Sequence, residues 1–170
     1  PELDQVAEIL SSFLHVSVSD NLMGLRWSKL IFNSAYSGLS TVTGLTLGSI
    51  IDNPGLMRLI CFIARESLRV AKGRNVKVEP YHCGDQAFDF ETIFAFEGAP
   101  DLRQAMVDAQ GYVGPAGGGV IASMLQDIKR GFPCEVDAIN GAVCQQGKLC
   151  GIETPLNDQL VALIKQIQAG

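Results

Sequence analysis

The sequence predicts an all-α domain built from many helices of uneven length. Apolar residues recur at three- and four-residue spacing in several separate segments. An asparagine–proline pair and a threonine–proline pair open two of them, and no long alternating run lies between them to supply a βαβ unit. The 170 residues suit one domain, 1–170, large enough to bury a core without disulfides or metal.

The first segment places Leu3, Val6, Ile9, Leu10 and Phe13 on one helical face, followed by an extended connector at His15–Ser19. Asp20 or Asn21 is placed to cap a second helix carrying Leu25, Trp27, Leu30, Ile31 and Tyr36. Gly38 and Gly44 are expected to interrupt it, with a shorter helix from Leu47 to Ile51. Asn53 and Pro54 open a long helix with Met57, Ile60, Cys61, Ala64, Leu68 and Ala71 on its stripe; Gly73 is expected to close it in the left-handed conformation. Periodicity leaves strand and helix both open for Arg74–Pro100. A helix is expected after Pro100 and Asp101, a break over Gly111–Gly119, a short helix at Ser123–Lys129, a turn at Gly131 and a helix from Pro133 to about Cys150. Thr154 and Pro155 open the last, with Leu160, Leu163, Ile164 and Ile167 on its face.

Composition excludes several classes of function. Apolar residues make up 47% and charged residues 18%, which excludes a disordered tail and suggests apolar surface that a partner domain or subunit covers. A net charge of −5 without a Lys or Arg run argues against nucleic-acid binding. The five cysteines, an odd number with no CxxC pair, read as reduced thiols of a cytoplasmic protein, not as a disulfide framework or zinc site. No leader-type segment precedes the first helix. Leu30–Ile51 carries no charge, but its asparagine, serines, threonines and glycines would make a poor membrane span, so a buried, tightly packed segment is expected.

The glycine cluster 111–119 lacks the GxGxxG spacing, a preceding strand and a closing Lys-Ser or Lys-Thr, so a phosphate loop is not expected there. Lys29 and Asn33, at i and i+4, share one face of the second helix within a charge-poor stretch. Spacing alone leaves two readings: a proton donor in a desolvated cleft beside an amide, or a lysine that snorkels to solvent. Glu135, in the first turn of its expected helix, is favoured by the helix dipole, and Ser123 is a possible N-cap.

Three ordered motifs change the weight of these residues. Trp27-Ser-Lys-Leu-Ile-Phe-Asn33 resembles the W-x-K-x-x-x-N signature of the ketopantoate reductase C-terminal domain. Ser123–Gly141 resembles that family's SMxxD-x-x-x-G-x-x-x-E-x-D-x-x-x-G stretch, and Gly151-Ile-Glu-Thr-Pro-Leu-Asn157 is similar to its G-I-x-T-P-x-N ending. The resemblance spans essentially the whole chain. It implies a multi-helix domain like those of 6-phosphogluconate dehydrogenase-type reductases, whose N-terminal Rossmann half is absent here. It implies NADPH, bound mainly by that half, and reduction of the 2-oxo acid ketopantoate to pantoate on the route to pantothenate. By the same resemblance Lys29 is the general acid, while Asn33, Ser37 and Ser123 bind substrate. Glu135 acts at the cleft in catalysis and in ordering bound cofactor. A cytoplasmic homodimer without metal, membrane or nucleic acid completes the expectation. Departures are Ser37 and Leu47, where best-matched reductases carry asparagines; Cys134, which replaces a threonine; and a longer 73–123 segment.

Overall fold

The computed structural model describes residues 2–14, 16, 18–83, 86–92 and 119–170. Its centre is the long helix that the Asn53–Pro54 pair announces. The Asn53 side chain accepts from the N–H groups of Gly55 and Leu56, and Pro54 fills the first position, where an N–H would lack a helical partner. This helix, Pro54–Gly73, is α5. Before it come α1 (Glu2–Ser11), α2 (Leu22–Phe32), a π-turn (Asn33–Ser37), α3 (Gly38–Thr43) and α4 (Leu47–Ile51). After it come a two-stranded antiparallel hairpin, β1 (Tyr81–Cys83) with β2 (Gln86–Phe88), then α6 (Ser123–Lys129), α7 (Asn140–Cys150) and α8 (Pro155–Ala169).

Helices α2, α4, α7 and α8 and the π-turn all pack against α5. Met57, Ile60, Ile63, Ala64 and Leu68 of α5 are buried with Ile31, Leu39, Ile50, Met124 and Ile164 in one core. Full burial of one such aliphatic side chain contributes about 1.5–3 kcal/mol, so the all-α architecture is stabilised chiefly along α5. Trp27, Val70, Ala71 and Val143 form a smaller cluster beside it. The sequence expectation of a buried, tightly packed Leu30–Ile51 is met for most of its length, with Ile31, Ser34, Ala35, Tyr36, Leu39 and Ile50 buried, but Thr43, Gly44, Leu45 and Ser49 are exposed. Among the described residues no helix is long and apolar enough to cross a membrane.

Helix α2 starts where the sequence placed it, with the Asn21 side chain accepting from Gly24 N–H. The expected break at Gly38 does not occur. Gly38 has helical angles, φ −58° and ψ −50°, and the chain runs on to Gly44, whose φ of 70° ends α3. Gly38 is small for packing: a Cβ there would stand 3.1 Å from Leu160 Cδ1 and 3.2 Å from the Asn140 amide. Nor is Gly73 left-handed; it stays helical, and Asn75 (φ 57°) takes that conformation two residues later.

The helix expected from Pro133 begins only at Asn140. The Glu135 carbonyl accepts from Ala138 and Ile139 N–H in a single separate turn, and Cys134 N–H turns away to Gln168 Oε1. Glu135 therefore lies in the connection before α7 and not in a first helical turn, so the helix-dipole account of it falls away. Ser123 is likewise the first helical residue of α6, not its cap, which is Ala122. The turn at Gly131 is present, with φ 74°. Gly151, at φ 69°, closes α7, and the N–H groups of Gly151 and Ile152 both reach the Gly147 carbonyl.

Helix α8 is capped from a distance. Thr154 makes no side-chain cap bond and donates instead to Asp158 Oδ2 at 3.2 Å. The first-turn amides of Leu156 and Asn157 donate to the buried Glu66 carboxylate of α5, at 2.9 and 3.0 Å. An anion at a helix N-terminus is favoured by both the free N–H groups and the dipole. Helix α1 is amphipathic as expected, yet it ends before Phe13 and its apolar face is open to solvent, with Leu3 70% and Ile9 65% exposed. The expectations for Pro100–Ala109 and Gly111–Gly118, and for His15 and Ser17 of the connector, lie outside the described residues.

Candidate functional site

Lys29, Asn33 and Ser37 stand on successive turns of one continuous rod, α2 followed by the π-turn. In an α-helix each i to i+4 step drifts by roughly 40° around the axis, so three such residues would spread across the surface. The wider turn over Asn33–Ser37 falls short of a full revolution in four residues, which carries Ser37 back towards the Lys29 side. Lys29 is exposed, and Asn33 and Ser37 are half-buried. A cation, an amide and a hydroxyl in a row offer hydrogen-bond donors to an oxygen-rich, anionic small molecule.

The opposite side of this rod is held by buried polar groups. Ser34 Oγ donates to the Ile31 carbonyl at 3.0 Å and pairs with Ser67 Oγ of α5 at 2.9 Å. The Gly38 N–H donates to the Ala35 and Asn33 carbonyls, passing over the Ser34 carbonyl between them. Asn140 Nδ2 donates to that carbonyl at 2.9 Å, and to Asn157 Oδ1 at 3.0 Å. Asn157 Nδ2 donates in turn to Glu66 Oε2 at 2.9 Å. Glu66, Asn157 and Asn140 thus form a buried chain from α5 through α8 and α7 to the Ser34 carbonyl of the π-turn. Sequence reasoning missed it. No local signal marked it: Glu66 lies about half a turn round α5 from the stripe of Met57, Cys61, Ala64 and Leu68, on the side where a glutamate ordinarily faces water.

Ser123 is exposed at the start of α6, and α6 packs on both the π-turn and α3, so the structure brings its helix against the element bearing Asn33 and Ser37. Glu135 is exposed on the connection to α7, whose Val136 and Ile139 are buried in the main core. Lys165 of α8 pairs with Asp137 of that connection at 2.7 Å. Leu47 is not at the surface. It lies in the core, and its N–H donates to the Val120 carbonyl at 2.8 Å. An open pocket on a different side of α2, lined by Arg26, Trp27, Leu30, Arg74 and Ala142, contains none of the expected residues.

Four described cysteines are free. Burial pushes the Cys61 thiol up to about 12 and, as the largest of several causes, the Cys144 thiol up to about 11, so neither supplies a thiolate near neutrality. Among the described residues no group of three or more His, Cys, Asp or Glu side chains could hold a metal ion. The described sheet is the β1–β2 hairpin, which has no strand-turn-helix cradle for a dinucleotide. The class so defined is an all-α domain carrying a row of donors and no nucleotide-binding sheet among its described residues.

Comparison with known proteins narrows that class. A family model described as ketopantoate reductase PanE/ApbA C terminal matches residues 21–168, and the chain belongs to this family. It is 29% identical over 164 residues to a 2-dehydropantoate 2-reductase of Pyrococcus horikoshii, covering 94% of this chain and 46% of that protein. A crystal structure of a PanE/ApbA family ketopantoate reductase from Ralstonia eutropha superposes with a TM-score of 0.70 at 26% identity, covering 98% of this chain and 48% of that one. A ternary structure of D-mandelate dehydrogenase with NADH and anilino(oxo)acetate shares the fold, with a TM-score of 0.74 at 24% identity over 99% of this chain and 48% of that one. The chain spans about half the length of the curated relatives it matches.

Proposed function

We propose that this chain is the substrate-side half of an NADPH-dependent 2-oxo-acid reductase, with ketopantoate the first candidate substrate and pantoate the product. The observation that carries the reading is the row Lys29–Asn33–Ser37 along α2 and the π-turn, inside the stretch that the family model matches. The reduced nicotinamide, when bound, supplies a hydride to the carbonyl carbon of the oxo acid. The Lys29 ammonium stabilises the oxygen as it becomes alkoxide and donates the proton that completes the hydroxyl. Its exposure lets it regain a proton from solvent after each turnover. Asn33 and Ser37 hydrogen-bond the substrate's polar groups, and Ser123 binds its carboxylate end. Glu135 stands at the cleft, where it orders the ternary complex and is the residue of this chain that reaches the cofactor.

An N-terminal Rossmann half holds most of the cofactor in this reading, and it covers the open apolar face of α1, which precedes the family-matched residues. The assembled protein is a cytoplasmic homodimer in the pantothenate route. A second reading, reduction of a different 2-oxo acid, is favoured by Ser37: a hydroxyl where an amide is expected offers fewer and shorter contacts to substrate. The buried position of Leu47 adds no polar group to replace it.

The test is NADPH oxidation by the full-length protein with ketopantoate and a panel of other 2-oxo acids. Turnover of ketopantoate supports the first reading. Turnover of another acid alone, restored towards ketopantoate by Ser37→Asn, supports the second. No turnover of any acid refutes both and leaves a non-catalytic helical module.

A further inference from the structure

We propose that Asn140 is a positioning residue, which sets the π-turn so that Asn33 and Ser37 meet the oxo acid in register. The inference rests on the reductase reading of the site and adds a residue that touches neither substrate nor cofactor. Three observations carry it. The Asn140 Nδ2 donates to the carbonyl of Ser34, the residue immediately after Asn33 and the second of the turn whose last residue is Ser37. Asn140 has no freedom to drift: it is fully buried, and its amide is fixed through Asn157 to the Glu66 carboxylate, which itself clamps the first turn of α8. Gly38 leaves that amide its room, since a Cβ there would stand 3.2 Å from both its terminal atoms.

The remaining atom of Asn140 adds a separate argument. Its Oδ1 is buried and has no hydrogen-bond partner among the described residues. Buried amide oxygens are nearly always paired, and one left unpaired costs stability. An apolar side chain would avoid that cost but leave the Ser34 carbonyl and Asn157 Oδ1 without this donor, so the amide is held for the two bonds it donates, one to the π-turn and one to the relay behind it. The wide turn is itself a departure from the regular helical ladder, of the kind found at functional sites.

The experiment uses the full-length reductase. Asn140→Leu keeps the side chain's branching, with bulkier methyl groups, and deletes the donor together with the unpaired oxygen. It is expected to raise KM for the oxo acid by about 10-fold or more while KM for the nicotinamide cofactor stays within about twofold, the signature of lost substrate registration. Gly38→Ala is the second variant. Its backbone angles suit alanine, and its methyl presses on Leu160 and on the Asn140 amide without altering the amide's chemistry; the same split at smaller amplitude is expected, with circular dichroism as the check on folding. Combining Asn33→Ala with Asn140→Leu is expected to be less than additive, because both act through one contact.

Equal losses for both substrates, an unchanged oxo-acid KM or full additivity would overturn the proposal. If the unsubstituted protein reduces no oxo acid, the functional reading fails and registration at a substrate fails with it. The positional part is then read from amide hydrogen exchange over residues 33–38. Faster exchange in Asn140→Leu upholds Asn140 as the clamp of the turn, and unchanged exchange removes it.

Discussion

Glu66→Gln removes one charge and one acceptor from the centre of the molecule while keeping the side chain's shape. Glu66 Oε1 accepts from Leu156 N–H at 2.9 Å, and Oε2 accepts from Asn157 N–H at 3.0 Å and Asn157 Nδ2 at 2.9 Å. A glutamine has a single acceptor oxygen. In its better orientation that oxygen serves Asn157, and the new NH2 group faces the Leu156 donor. One buried donor left unpaired costs about 1–3 kcal/mol. Loss of the anion at the α8 N-terminus adds roughly 0.3–1 kcal/mol. The sum is about 1.3–4 kcal/mol, a large share of the ~5–15 kcal/mol that holds a domain of this kind together. Glu66→Ala unpairs all three donors and opens a cavity, so its cost should exceed that of glutamine. Urea unfolding followed by helical circular dichroism, with an unchanged slope against denaturant, reads the difference. A loss below about 0.5 kcal/mol for Glu66→Gln would refute the carboxylate clamp, because that is the ordinary scatter of surface substitutions.

Lys29→Ala in the full-length reductase is expected to lower kcat by about 100-fold or more, the usual contribution of a general acid, in a coupled measurement of kcat and KM. A near-normal kcat would remove Lys29 from the chemistry. Gly147→Ala should destabilise by about 1–3 kcal/mol despite alanine's better helix propensity, since the added Cβ would stand 2.7 Å from the Ile152 backbone carbonyl; thermal unfolding measures it. Cys61 is expected to resist alkylation in the native protein at pH 8 and to react on unfolding, by mass spectrometry. Its proton is held up to about 12 in the folded state against 9.0 ordinarily, so between those values the unfolded chain binds fewer protons. Stability should therefore fall as pH rises through that window and be flat below it with respect to this group; no loss on a Cys61→Ala background is the control.

What could be read from the sequence was local. Asn53–Pro54 and Asn21 announce α5 and α2 because a cap and the amides it serves lie within three residues of one another. The readings that failed are those in which a distant residue overrides the local signal. Thr154–Pro155 marks the start of α8 correctly, but the acceptor that caps it is Glu66, 91 residues away from Asn157. Gly38 looks like a breaker until Asn140, 106 residues beyond Ser34, needs the space beside it. The connection before α7 looked helical because Pro133 and Glu135 suit a first turn, whereas Cys134 is drawn to Gln168 at the end of α8. At the site, spacing alone put Lys29 and Asn33 on one face, while the motif resemblance supplied their roles. Glu66 could not be recognised as a clamp, because a lone glutamate in a helix ordinarily faces water.

The π-turn has a consequence for how this chain tolerates change in length. Each residue of an α-helix advances the side chains by roughly 100°, so adding or deleting one residue within 33–37 would rotate α3 by about that angle against α2. A deletion would put Leu39 in the angular place of Gly38, where a Cβ would already stand 3.1 Å from Leu160 Cδ1, and an insertion would put it in that of Ser40, so Leu39 would lose its seat in the core. The turn thus fixes a phase between two halves of one rod, one half presenting Lys29 and the other packing on α8. Single-residue insertions should be absorbed readily in the turn after α6, where Gly131 has nothing within 4 Å of its Cβ position. Between Asn33 and Ser37 the residue count itself is part of the fold.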